Sequence, residues 1–295
     1  MTSQFDLDAA WRDHEAHPQL VADRVGTALG SLSDATQRSA ALRLWTHLYA
    51  EHLPDPLGGI ESLRSLPSDF APPTSGFRTV AVAIATLQLL GDRPEATQDL
   101  SREESAAAQA TAASALAARG RIPDAVLAYQ AALRLAEMGL PDGSPALRAL
   151  AASGNNLAVT LEELPVRDAG DVHAMLLAAQ GALTYWRRAG GWLEEERACY
   201  RLACSFAVAN RPLDAVRCAE QCAAICEENS APPFECFHAF AQCAVAHRLA
   251  GQEADAERCL SKATQALAML EPEARAACRA DYAALWPHDA PGVAG

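Results

Sequence analysis

The chain has 295 residues, half of them hydrophobic, with 21% charged and 6% aromatic. That is enough to bury a sizeable core in one large or two ordinary domains, and it is not the composition of a disordered chain. The net charge of −13 argues against nucleic acid and against anionic membrane surfaces, which both require basic patches.

Alanine fills 66 of the 295 positions. Alanine loses no side-chain entropy on entering a helix, so the chain should be mostly helical. A β-sandwich and a β-barrel are excluded, and no Val/Ile run reads as a buried parallel strand. Lysine occurs once, at Lys262, as GC-rich coding would produce. P-loop, Schiff-base and Ser-Lys chemistries would all rest on Lys262, which lies in no such motif. Met1–Asp8 is polar and acidic, unlike a signal peptide, and the longest apolar stretch, Val80–Leu90, is too short to span a bilayer. A cytoplasmic location is expected, with the nine cysteines as reduced thiols rather than a disulfide framework.

In chain order, helical patterns cover about 19–32 and 34–51, with Asp34 as N-cap of the second. Ala41, Leu44, Trp45 and Leu48 fall at i, i+3, i+4 and i+7 on one face. Leu53–Gly76 carries five prolines and three glycines and reads as a long loop. Phe77–Leu90 reads as a helix ended by Gly91, and Asp92–Leu100, with Pro94, as a connection. Ser101 with Glu104 fits a capping box. Helices then follow over about 101–119, 122–139, 145–163, 170–189, 192–209, 212–228, 233–250, 253–270 and 272–285, separated by Gly and Pro breakers. Short connections make neighbours antiparallel. The expected organisation is a helical N-terminal region over 1–95, a cap or degenerate repeat. A repeat domain follows over 96–285 and a tail over 286–295.

The helix pairs echo one another. Ala125, Ala215 and Ala256 each follow a turn and an acidic residue. Leu157-Ala158, Leu202-Ala203 and Cys243-Ala244 share a large–small pattern. This resembles the tetratricopeptide repeat (TPR), whose small residues let two helices cross closely. Ala174, Ala215 and Ala256 are spaced by 41, and Ala125 lies 49 before Ala174. A period near 41 resembles the extended-helix branch of the family, as in kinesin light chains and bacterial peptide-sensing regulators. The resemblance implies an all-α fold, a right-handed superhelical stack of antiparallel helix pairs whose first helices line a concave groove for a peptide or partner protein.

Within that groove the resemblance singles out Asn156, Arg197, Tyr200, Arg201, His238 and Arg248. Carboxylate-clamp repeats place an Asn on one first helix and two basic residues four apart on the next, as Asn156, Arg197 and Arg201 do. Two arginines one turn apart can fork a carboxylate. The clamp's other Lys and Asn positions read Ala110 and Ser114 here, so the match is incomplete. The alternative is that Arg197 and Arg201 pair with Glu194, Glu195 or Glu196.

Cys218, Cys222 and Cys226, spaced by four, form a stripe, and Cys259 is the repeat equivalent of Cys218. Cysteine packs well as a small hydrophobe. The same residues could instead bind Cu(I) or Zn, or respond to oxidation. His14 and His17 flank Glu15 without a HExxH pattern and read as solvated helix positions. No catalytic constellation is visible. The sequence therefore points to a non-catalytic interaction module without a cofactor, acting as scaffold or regulatory adaptor. Its ligand would be a protein or peptide with an acidic or C-terminal carboxylate group, and a homodimer stays open. Substituting Arg197 and Arg201 together is expected to weaken binding and leave the melting temperature nearly unchanged.

Overall fold

The structure is a computed structural model that describes residues 5–66 and 75–285. Among the described residues there are helices and no strands, and no helix is long and apolar enough to cross a membrane. The chain divides into two compact units, Met1–Leu157 and Ala158–Gly295.

The first unit opens with α1 (Leu7–Asp13), α2 (Pro18–Leu29) and α3 (Ala35–His47). Asp34 caps α3 as expected, its carboxylate accepting from the Gln37 amide at 2.8 Å. Helix α3 runs into a π-helical turn over Leu48–His52. Two elements depart from the sequence reading. Helix α1 carries no long periodic pattern, and α4 (Pro56–Arg64) lies inside the proline-rich stretch expected to be loop. Pro56 sits at the first helical position of α4, where a missing N–H removes no bond. The aligned side chains Ile60 and Leu63 of α4 are buried. Helices α5 (Ser75–Leu90), α6 (Arg102–Ala118) and α7 (Ile122–Glu137) follow, then α8 (Pro145–Glu162), which runs on into the second unit.

Helix α6 is buried on nearly every side, from Ser105 to Ala117. Its alanines offer no bulk, so neighbouring backbones approach closely. Its start is the predicted capping box, with the Glu104 amide donating to Ser101 Oγ at 3.3 Å and the Ser101 amide to Glu104 Oε2 at 2.8 Å. Arg78 of α5 donates to the same Glu104 carboxylate.

The second unit continues with α9 (Ala169–Ala189), α10 (Trp192–Val208), α11 (Pro212–Glu228), α12 (Pro233–Leu249), α13 (Glu253–Ala268), α14 (Pro272–Asp281) and a 3₁₀ turn at Ala283–Leu285. Each helix from α9 to α13 packs on the next, and α10 also meets α12.

The joints between paired helices repeat one geometry. Gly120, Asn210 and Gly251 have φ of 75°, 54° and 71°. Each is followed by an amide that reaches back to the helix just ended: Arg121 to Leu116 at 2.8 Å, Arg211 to Phe206 at 2.9 Å and Gln252 to His247 at 2.9 Å. This is a Schellman end, which satisfies carbonyls the helix would otherwise leave open. Each joint stands five residues before Ala125, Ala215 or Ala256, and those alanines are fully buried. The large–small pairs Leu157-Ala158, Leu202-Ala203 and Cys243-Ala244 are buried too. The sequence register is thereby the packing register in each unit.

Candidate functional site

Helix α10 presents Arg197, Tyr200 and Arg201, and α12 presents His238 and Arg248. Arg197 donates to Glu235 of α12, with Nη2 to Oε1 at 2.5 Å. Arg201 Nη1 donates to Glu162 Oε2, and Ser205 Oγ donates to the other oxygen of the same carboxylate. Both guanidinium groups are thus paired across helices, with Glu235 and Glu162, and Glu196 and Glu194 add to the field at Arg197. The pairs differ in exposure: the Arg197 side chain is 59% exposed and that of Arg201 22%, with Glu162 at 9%. Burial pushes the Glu162 carboxyl above its usual range against the pull of Arg201 and Ser205. Arg201 Nε is buried with no hydrogen-bond partner among the described residues.

The remaining predicted residues of this unit meet the chain's own C-terminal segment. The Tyr200 and Tyr282 hydroxyls are hydrogen-bonded at 2.7 Å. The His238 ring stands edge-on to Phe234 and lies near Tyr282, with Cys278 Sγ 3.7 Å from its Nε2. Arg248 Nη1 donates to the Leu285 carbonyl at 3.4 Å. The segment Cys278–Leu285 therefore lies against three of the residues expected to line a partner groove.

Asn156 belongs to the first unit. Its amide donates to Ser114 Oγ at 3.0 Å, and Ser114 donates to Glu51 Oε1 at 3.4 Å. Ser114 is the position where a clamp would carry an asparagine.

The cysteines separate into two groups. Cys218, Cys222 and Cys226 are buried. Cys222 donates to Glu196 Oε1 at 2.9 Å, and burial pushes the Cys218 thiol up. Cys259 groups with Cys243 and His247, one ligand atom from each lying within 4.8 Å of the others. The hydrogen bond from Cys243 holds the Cys259 thiol down, with His247, Lys262 and Arg258 adding to the effect. The same bond and burial push Cys243 up. Repeat equivalence suggests Cys218 for Cys259. The structure adds a contact from Cys243 on the preceding helix, whose i+4 neighbour His247 was the available signal.

A second group escaped the sequence reading. His14, expected at a solvated position, is half-buried beside His47 and His52, and one ring nitrogen of each lies within 4.8 Å of the others. His17, by contrast, is exposed as expected.

Buried small residues at a repeating register, the recurring joint and the all-helical build define the class: this is a TPR-like helical-repeat fold. No family model matches the chain, and no curated protein matches it. Among solved structures, the chain is similar to BtubC (BKLC) from P. vanneervenii, with a TM-score of 0.52 at 17% identity over 90% of this chain and 92% of that one. It is also similar to a kinesin light chain-like protein of Podosopora anserina with nearly identical TPR-like repeats. There the TM-score is 0.50 at 16% identity, over 80% of this chain and 98% of that one.

Proposed function

We propose that the chain is a non-catalytic protein-interaction module whose second unit receives a helical or extended acidic segment on the face formed by α10 and α12. One observation carries this reading. That face already holds a segment of chain, Cys278–Leu285, through a tyrosine pair, a histidine among aromatic rings and an arginine on a carbonyl. Such a mixture of aromatic anchors and a few directed polar groups is what peptide-binding surfaces use. The exposed guanidinium of Arg197 at the edge supplies the attraction for a carboxylate.

The test is a pull-down from the native host with the full chain as bait, in parallel with Arg197→Ala. A partner captured by the wild type and lost from the folded variant supports the reading. A partner retained equally by both removes Arg197 from it.

A second reading is a thiol response at Cys259, favoured by its low pKa beside Cys243 and His247. A thiolate is the reactive form of cysteine. Mild oxidation that modifies Cys259 ahead of the other thiols supports it, and uniform or absent modification counts against it.

A further inference from the structure

We propose that His14, His47 and His52 form a three-imidazole binding site for a divalent transition cation of the zinc class.

The backbone builds the site through an irregularity. In an α-helix, residues five apart point about 140° away from each other. His47 and His52 are five apart, and they meet because the chain between them widens into a π turn. The Leu53 amide bonds to the Leu48 carbonyl at 2.8 Å, and the two Nε2 atoms stand 3.1 Å apart. Such insertions are rare and occur often at functional sites. The turn is clamped from outside by Arg119 of α6, whose guanidinium donates to the carbonyls of Tyr49, Ala50 and Leu53. His14, at the end of α1, completes the group, its ring centroid 5.1 Å from that of His47 and 5.0 Å from that of His52.

The second layer of contacts is also that of a metal site. His14 Nδ1 donates to the Trp11 carbonyl at 2.5 Å, which leaves its Nε2 lone pair for a ligand. His47 Nδ1 faces Glu51 Oε1 at 3.3 Å, which directs its Nε2 to the side of His52. Metal-ligating histidines are ordinarily oriented in this way by a carbonyl or carboxylate on the far nitrogen. Glu51 is itself held by Ser114, and Ser114 by Asn156.

The donor set selects the ion. Three imidazole nitrogens without thiolate suit zinc or a similar borderline cation rather than Cu(I), and without an oxygen cage they do not suit Mg²⁺ or Ca²⁺. His47 and His52 share a hydrogen bond between their Nε2 atoms at 3.1 Å, and zinc at its usual bond length to imidazole sets ligand nitrogens about 3.3 Å apart, so an ion would replace that bond with little movement of the rings. All three side chains are only half-buried, so a fourth position is open to water.

The test is calorimetric titration of Zn²⁺ into the untagged, reduced full chain, beside variants His14→Gln, His47→Gln, His52→Gln, Glu51→Gln and the pair Cys243→Ser/Cys259→Ser. Circular dichroism checks the fold of each. The expected result is one site that survives in the cysteine variant and is lost in the folded histidine variants. It should be weakened about 10–100-fold by Glu51→Gln, which touches only the orienting contact. Should His47→Gln or His52→Gln unfold, His14→Gln, at the end of a short helix, decides. Cobalt(II) gives a second readout, with weak visible bands and no intense thiolate charge-transfer absorption. No zinc heat in the wild type, unchanged affinity in the folded histidine variants, or thiolate absorption that vanishes with the cysteines would each overturn the proposal.

Discussion

Asn156 donates its side-chain amide to Ser114 Oγ at 3.0 Å, joining α8 to α6 within the first unit. The residue expected to hold a ligand thus helps support an internal chain of polar contacts that passes through Glu51 to His47. Asn156→Ala should therefore lower stability by about 0.5–1.5 kcal/mol, the net value of such a bond. Urea unfolding followed by circular dichroism reads it. A variant as stable as the wild type would show that the bond contributes nothing.

The two arginines of α10 should separate in stability. Arg201→Ala strips a buried carboxylate of its cation, and Glu162 then sits 9% exposed with the Ser205 hydroxyl as its remaining donor among the described residues. Removing one member of a buried pair costs about 3–5 kcal/mol. Arg197 is largely in water, where an ion pair is worth about 1 kcal/mol or less. Thermal melts should therefore place Arg201→Ala well below Arg197→Ala. The sequence expectation that both could be removed without a change in melting temperature is replaced by this order, and Arg197 alone is the clean binding probe.

Cys259 should be the fastest thiol to react with iodoacetamide under native conditions, because the bond from Cys243 holds its pKa down while burial holds Cys199 and Cys204 up at about 12. Its rate should rise with pH at a lower midpoint than those of the other thiols, following the thiolate fraction. Mass-spectrometric mapping against pH checks this. Cys243→Ala, which removes the thiol donor that stabilises the Cys259 thiolate, should move the midpoint upward.

Glu196 gives the fold a pH dependence of defined sign. It is 1% exposed, and burial raises its pKa above the ordinary value of 4.5. A raised folded-state pKa means that the folded chain binds the proton more tightly than the unfolded chain. The contribution of Glu196 is then fully present below the ordinary carboxylate range and is lost as pH climbs through the raised value. Glu196→Gln should flatten the decline in melting temperature between mildly acidic and neutral pH. An unchanged slope would assign that decline to other groups, of which Glu162 shifts in the same direction.

The repeat register can be tested by overpacking. Ala215 is fully buried, five residues after the left-handed Asn210 joint. Ala215→Leu should cost about 1–3 kcal/mol, since added methylenes force a close-packed crossing apart. The same change at exposed Ala224 of the same helix should be close to neutral. Equal melting temperatures for the two variants would refute the register.

By itself the sequence determined the helices from Ser101 onward, nearly to the residue, and the register that runs through Ala125, Ala215 and Ala256. Those features are local. Capping residues, breakers and small-residue spacing act within a few turns of chain, so they can be read along it. The same locality explains the lapses at α1, too short to show a period, and at α4, where a proline that begins a helix was read as one that prevents it. The tertiary structure alone decided which charges and ligands meet. Glu162 lies 39 residues before Arg201, Cys243 reaches Cys259, and His14 joins His47 and His52 from a separate helix. The His47–His52 contact further depends on a π turn, which has no signature in residue spacing. Such contacts arise from where packed helices bring distant side chains, and no local periodicity records them.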